Sequence, residues 1–155
     1  MSSWWTTPTL DMLLLLQQPE VLFRDKSMVL LNRASREVLD AVEMARKELG
    51  DNYHAKVTCA HLEIQDDADL DRFAKLGVIA NYTPWWHCGA EGDPLAPWIP
   101  ILGEERAVKM FRCKTLWDSG ALVTWSSDNI AYEDFATWSP YLGMEIGMTR
   151  WVTDK

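Results

Sequence analysis

Short apolar runs alternate with amphipathic stretches of helical period from about residue 20 onward, and few folds accept that order. Val21-Leu22-Phe23 and Met28-Val29-Leu30-Leu31 read as buried strand segments. Residues 34–49 carry Val38, Val42, Ala45 and Leu49 at helical spacing, with Gly50 placed to end the helix. Ala55 to Ala60 is strand-like and runs into His61. Asp66 or Asp67 is placed to cap a second helix, which turns Leu70, Phe73 and Ala74 inward and stops at Gly77. Val78 to Tyr82 forms the next strand, residues 83–103 a long loop, and Glu104 to Leu116 a helix with Ala107, Met110 and Phe111 apolar. Ala121 to Trp125 is a further strand, ending at Ser126-Ser127-Asp128, and residues 137–150 read as a closing helix. This alternation predicts an α/β architecture, a parallel sheet covered by helices. About four such units make either half of an eightfold barrel or a small doubly wound sheet, and periodicity does not choose between them.

A chain of 155 residues is long enough to bury a core, and 48% hydrophobic with 25% charged residues suits a globular domain. The net charge of −8 and the lack of any basic stripe exclude nucleic acid as a partner. The apolar run Leu10 to Leu16 is too short for a membrane span, which needs about 20 residues. It also lacks the basic flank and small-residue cleavage site of a signal peptide, so a cytoplasmic protein is expected. Cys59, Cys88 and Cys113 form neither a CxxC pair nor a disulfide framework, and read as buried thiols in a reducing compartment. Nine tryptophans suit a core, a ligand cleft or an interface alike.

Functional side chains of parallel α/β folds gather where strands end and loops begin. His61 and Asp128 both occupy such carboxyl ends. An imidazole and a carboxylate there can share a divalent metal, or act as a base and its partner; singly, each is as well explained by a structural hydrogen bond. The segment Tyr82 to Gly89 sets Trp85, Trp86 and His87 over the same end as a substrate wall, or as a cover over the sheet's mouth. His87 and Cys88 are adjacent and do not both point at one metal from an extended segment. His54 precedes a strand, at the opposite end from His61, and reads as solvated or structural. Asp66, Asp67, Asp69 and Asp71 form an acidic helix start, which the helix dipole favours as solvated caps.

Several of these stretches together resemble the YtcJ-like amidohydrolases, the amidohydrolase-3 group of the metal-dependent hydrolases. Asn32 to Ala41 is similar to the family's helix start after the fifth strand, and Ala60-His61 followed by Asp69 to Ile79 to its segment around the sixth. Residues 104–123 resemble the stretch before the last strand, and Ser126-Ser127-Asp128 falls where the family places its strand-end Asp. The likeness runs over residues 28–155 and leaves residues 1–27 unassigned. It implies the last half of a (β/α)8 barrel that hydrolyses non-peptide carbon–nitrogen bonds of a small-molecule amide, using water activated by a zinc-like divalent metal. His61 would then be a metal ligand, and Asp128 both a ligand and the group that moves the proton.

The same resemblance exposes departures. No His-x-His pair of the first strand and no bridging lysine of the fourth is present, and Met28 stands where the family has a histidine. A thioether is a poor partner for a zinc-like ion. With His61 and Asp128 alone, the chain is not expected to hold the ion stably, since catalytic zinc takes three protein donors. Competing expectations are an inactive half-barrel that associates with its own copy or a complementing half, and a small ligand-binding module built on the Trp85–Trp86 wall.

Overall fold

The computed structural model describes residues 24–29 by their backbone, and residues 32–87, 95–96, 98–128 and 139–149 in full. The run Val21 to Phe23, Leu30-Leu31, Cys88 and most of the unassigned N-terminal segment lie outside the described residues. Four parallel strands make one sheet: β1 (Arg24–Val29), β2 (Lys56–His61), β3 (Ile79–Tyr82) and β4 (Val123–Trp125). The first strand therefore starts earlier than the apolar run Met28 to Leu31 suggests. Its register sets Met28 beside Ala60 and Val29 beside His61.

The sheet order is β1-β2-β3-β4, the order of the sequence. A doubly wound sheet reverses direction at a switch point and takes helices on both faces; a barrel adds each strand beside the last and keeps its helices outside. Sequential order thus decides the question that periodicity leaves open. The architecture is a partial (β/α)8 barrel of four β/α units.

Helix α1 (Asn32–Leu49) buries Ser35, Leu39, Val42 and Ala45, a stripe at intervals of three and four that faces the sheet. Arg46 and Lys47 in its last turn complement the helix dipole, and Gly50 follows with φ +53°. Helix α2 (Leu70–Leu76) buries Leu70 and Phe73 and ends at Gly77, whose φ of +62° is a left-handed conformation open to glycine without strain. The Gly77 N–H donates to Ala74 O and the Val78 N–H to Phe73 O, the paired closure of a Schellman motif.

Two local expectations change. The acidic start of α2 does not cap by side chain: Asp66 accepts from Asn32 and Arg36, and Asp67 from Lys109 and Arg112. Asp69, with its side chain 2% exposed, lies between Arg36 and Arg72, each 3.0 Å away. These carboxylates tie α2's start to α1 and to the segment before β4, and the charge-assisted bonds count most at the buried Asp69. Asp71, paired with Lys75 at 3.9 Å, and Asp67 remain on the exposed face, as solvated residues do.

The second change is in residues 99–118, where two short helices replace the expected one and a third precedes them. They are α3 (Ile99–Leu102), inside the expected loop, then α4 (Glu104–Ala107) and α5 (Cys113–Asp118). Phe111 has φ +53° and its N–H donates to Glu63 O at 2.7 Å, while Met110 bridges antiparallel to Ile64. The apolar pattern that imitates a helix face instead builds a second cluster of Ile64, Met110 and Phe111, with Leu95, Trp98 and Leu102 against it. Helix α6 (Pro140–Thr149) closes the described chain.

The main core lies between the sheet and α1, α2 and α5. Leu39, Val42, Cys59, Phe73, Ala80, Tyr82 and Leu116 belong to one cluster. Removing a side chain of Phe73's or Leu116's size from water contributes about 1.5–3 kcal/mol. Cys59 and Cys113 are buried and form no disulfide, as their spacing suggests. Among the described residues no helix is long and apolar enough to cross a membrane.

Candidate functional site

Strand β2 grows more buried along its length, and its last residue, His61, delivers an imidazole to the sheet's carboxyl rim. The backbone there is sharply bent. His61 has φ +73°, and the Leu62 N–H donates to Ala60 O at 3.1 Å across it, closing a three-residue turn. Such γ-turns are rare and strained for a residue with a Cβ. Leu62 follows at φ +53° and is wholly buried, so its packing holds the bend that aims His61.

Asp128 arrives from the far side. Beyond β4 the Ser126 N–H donates to Tyr82 O at 2.9 Å, extending the ladder past the strand's end. The Ser126 hydroxyl donates to Asn81 Oδ1 at 2.8 Å, and Asn81 Nδ2 donates to Thr124 Oγ1 at 3.0 Å. The buried Asn81 amide thus fastens β3 to β4 just beneath the turn carrying Asp128, itself left-handed at φ +48°. His61 Nε2 and Asp128 Oδ2 meet at 3.7 Å.

Two further groups complete the surroundings. Tyr82 leads into a 3-10 turn, Pro84–His87, which sends Trp86 across the rim. Its indole N–H donates to Asp128 Oδ2 at 3.2 Å, with the ring 47% exposed. Glu63, two residues past His61, has Oε1 3.9 Å from His61 Nδ1. Burial pushes its carboxyl up to about 7, and the negative charge of Asp128 adds to the rise against a backbone hydrogen bond that lowers it. Glu63 Oε2 is buried with no hydrogen-bond partner among the described residues.

The candidate residues therefore separate. His61, Asp128 and Trp86 come together at the rim, and Trp85 is half-buried on the same turn. His87 is enclosed, its ring stacked on Phe111 at 4.5 Å and edge-on to Tyr82 at 5.4 Å, so it supports the turn from behind. His54 is exposed at the other end, where it lines a cavity of about 450 Å3 with Arg46, Tyr53, Lys56 and Ile79. That cavity faces the strands' amino ends, the end that serves stability in barrels. Glu63 was not singled out by the sequence. Its one signal is a place two residues beyond a strand-end histidine, legible once the bend at His61 is known.

A parallel sheet in sequential order thus brings a histidine and an aspartate together at the carboxyl rim of a partial barrel. The chain belongs to the amidohydrolase family, whose model matches residues 29–152. Its fold is similar to that of an uncharacterized metal-dependent hydrolase from Pyrococcus furiosus, with a TM-score of 0.59 and 22% identity over 82% of this chain. The chain spans 23% of that structure's length. No curated protein matches the chain.

The donor set fits part of a coordination sphere. Two donors each about 2.0–2.2 Å from one zinc-like ion stand at most about 4.2 Å apart, and the 3.7 Å between Nε2 and Oδ2 falls inside that limit. Among the described residues no group of three or more His, Cys, Asp or Glu side chains is placed to hold an ion. Glu63 cannot be the third donor at the same point, since it faces Nδ1 while Asp128 faces Nε2.

Proposed function

We propose that this chain is the C-terminal barrel half of a YtcJ-like amidohydrolase, supplying His61 and Asp128 to a divalent-metal centre that hydrolyses a non-peptide carbon–nitrogen bond of a small amide. The observation that carries the reading is the 3.7 Å approach of His61 Nε2 to Asp128 Oδ2 at the carboxyl rim. His61 Nε2 and Asp128 Oδ2 would hold the ion, with the remaining donors supplied from outside the described residues. When bound, such an ion polarises the amide carbonyl and acidifies water. Asp128 accepts a proton from the attacking water and returns it to the departing nitrogen, so the C–N bond breaks as a C–O bond forms. The Trp86 N–H fixes the direction of the Asp128 carboxylate, and the exposed indole face with Trp85 offers a flat wall to substrate.

A second reading is favoured by the absence of a three-donor group among the described residues: an inactive half-barrel that works through association with another chain. One experiment separates the two. The full chain, supplied with Zn2+, is assayed on a panel of small linear and cyclic amides beside Asp128→Asn. The hydrolase reading predicts turnover that falls by about 10²–10⁴-fold in the variant, the usual share of a general acid–base group, with an unchanged circular dichroism spectrum. Equal rates remove Asp128 from the chemistry, and no turnover in either protein favours the second reading.

A further inference from the structure

The imidazole of His61 is flanked by a carboxylate on each ring nitrogen, Glu63 on Nδ1 and Asp128 on Nε2. A neutral imidazole has one proton to give, and the two acceptors differ in need. Asp128 Oδ2 already accepts the Trp86 N–H, and its side chain is 28% exposed, so water satisfies the rest. Glu63 is 13% exposed, and Oε2 is buried without a hydrogen bond among the described residues. A buried carboxylate short of donors gains more from the proton than a half-satisfied one at the surface. Both backbones are pinned: Phe111 N donates to Glu63 O at 2.7 Å, and the turn across His61 fixes its Cβ direction. At 3.9 Å the pair is near contact and not a closed hydrogen bond; rotation about Glu63's side-chain torsions, or one bridging water, closes it.

We propose that Glu63 is a positioning residue of the centre, accepting the Nδ1–H of His61 and so holding the tautomer whose unprotonated Nε2 faces Asp128. For its consequence in metal binding this rests on the hydrolase reading. A histidine that holds a metal through one nitrogen commonly gives its other N–H to a carboxylate, which fixes the tautomer and raises the ligand's basicity.

The test is long-range 15N NMR of the imidazoles in the metal-free full chain at pH about 9, above the ordinary titration range of an imidazole. His61→Gln assigns the resonance among the three histidines. The Nδ1–H tautomer is expected in the wild type and in Glu63→Gln, whose amide oxygen still accepts, with a shift toward Nε2–H in Glu63→Leu. An Nε2–H wild type, or an Nδ1–H tautomer unmoved in a folded Glu63→Leu, overturns the proposal. Should Glu63→Leu not fold, the wild-type tautomer still decides. Zn2+ titration of the same samples should weaken by about 10–100-fold in Glu63→Leu and much less in Glu63→Gln. If Zn2+ binds wild type and Glu63→Leu alike, the positioning role falls and the hydrolase reading stands. If Zn2+ does not bind the wild type while the tautomer follows Glu63, the hydrolase reading falls and the positioning role stands.

Discussion

Glu63 carries a thermodynamic signature that is separate from catalysis. Burial lifts its carboxyl from the ordinary 4.5 to about 7, so between those values the folded chain keeps a proton that the unfolded chain has lost. Stability is fully present below the unfolded value and declines as pH rises through the window, by at most about 1.4 kcal/mol per pH unit. Urea unfolding from pH 4.5 to 8 should show the wild type losing stability relative to Glu63→Gln, and parallel curves would contradict it. At this scale the site was half legible. His61 and Asp128 stood out because strand ends are readable from apolar runs, and residue type there restricts the chemistry. Glu63 and the Asn81 fastening were not readable, since both depend on left-handed backbone at His61 and Leu62 and on a ladder that continues past β4. The acidic run of Asp66 to Asp71 misled for a related reason, because its partners Arg36, Lys109 and Arg112 lie some 30 to 45 positions away.

The fit between β4 and α6 is tight at one point. A Cβ on Gly147 would stand 2.6 Å from the Trp125 ring. Gly147→Ala gains about 1 kcal/mol of helix propensity but forces the indole or the helix aside, which typically costs 1–3 kcal/mol. Thermal unfolding should therefore show Gly147→Ala destabilised by roughly 1 kcal/mol in the wild-type background. In a Trp125→Val background the same change should be stabilising, because the clash is gone and only the propensity remains. An equal effect in both backgrounds would show that the contact does not govern this junction. Helix α1 was legible from its 3.6-residue stripe, although its buried face takes Ser35 and Leu39 while Val38 and Leu49 stay half-buried. Residues 104–118 were not, since Ala107, Met110 and Phe111 keep helical spacing yet are all buried around a break at Phe111. Hydrophobic period reports which residues are buried, and a bridge between Met110 and Ile64 buries them as well as a helix does.

Among the described residues, β1 pairs only with β2 and β4 only with β3, so both outer sheet edges present backbone groups ready to pair. Near the β4 edge Leu122 is 59% exposed and Trp125 40%. The full chain purified alone is thus expected to associate with its own copy, and light scattering after size exclusion should give a mass above that of one chain; a compact monomer at high concentration would contradict this. Strand order, not hydrophobic period, fixed the molecule as a barrel segment, and it is set by which strands pair. The central claim is that His61 and Asp128 are two donors to one ion. Its most direct test is a Zn2+ titration of the full metal-free chain, following the His61 imidazole 15N and the Asp128 carboxylate 13C resonances together. The account predicts that both move together on one curve, of the weak affinity that two protein donors give, and that each loses its response when the other is changed in His61→Gln or Asp128→Asn. Resonances that stay still, or a histidine that responds without its aspartate, would contradict it.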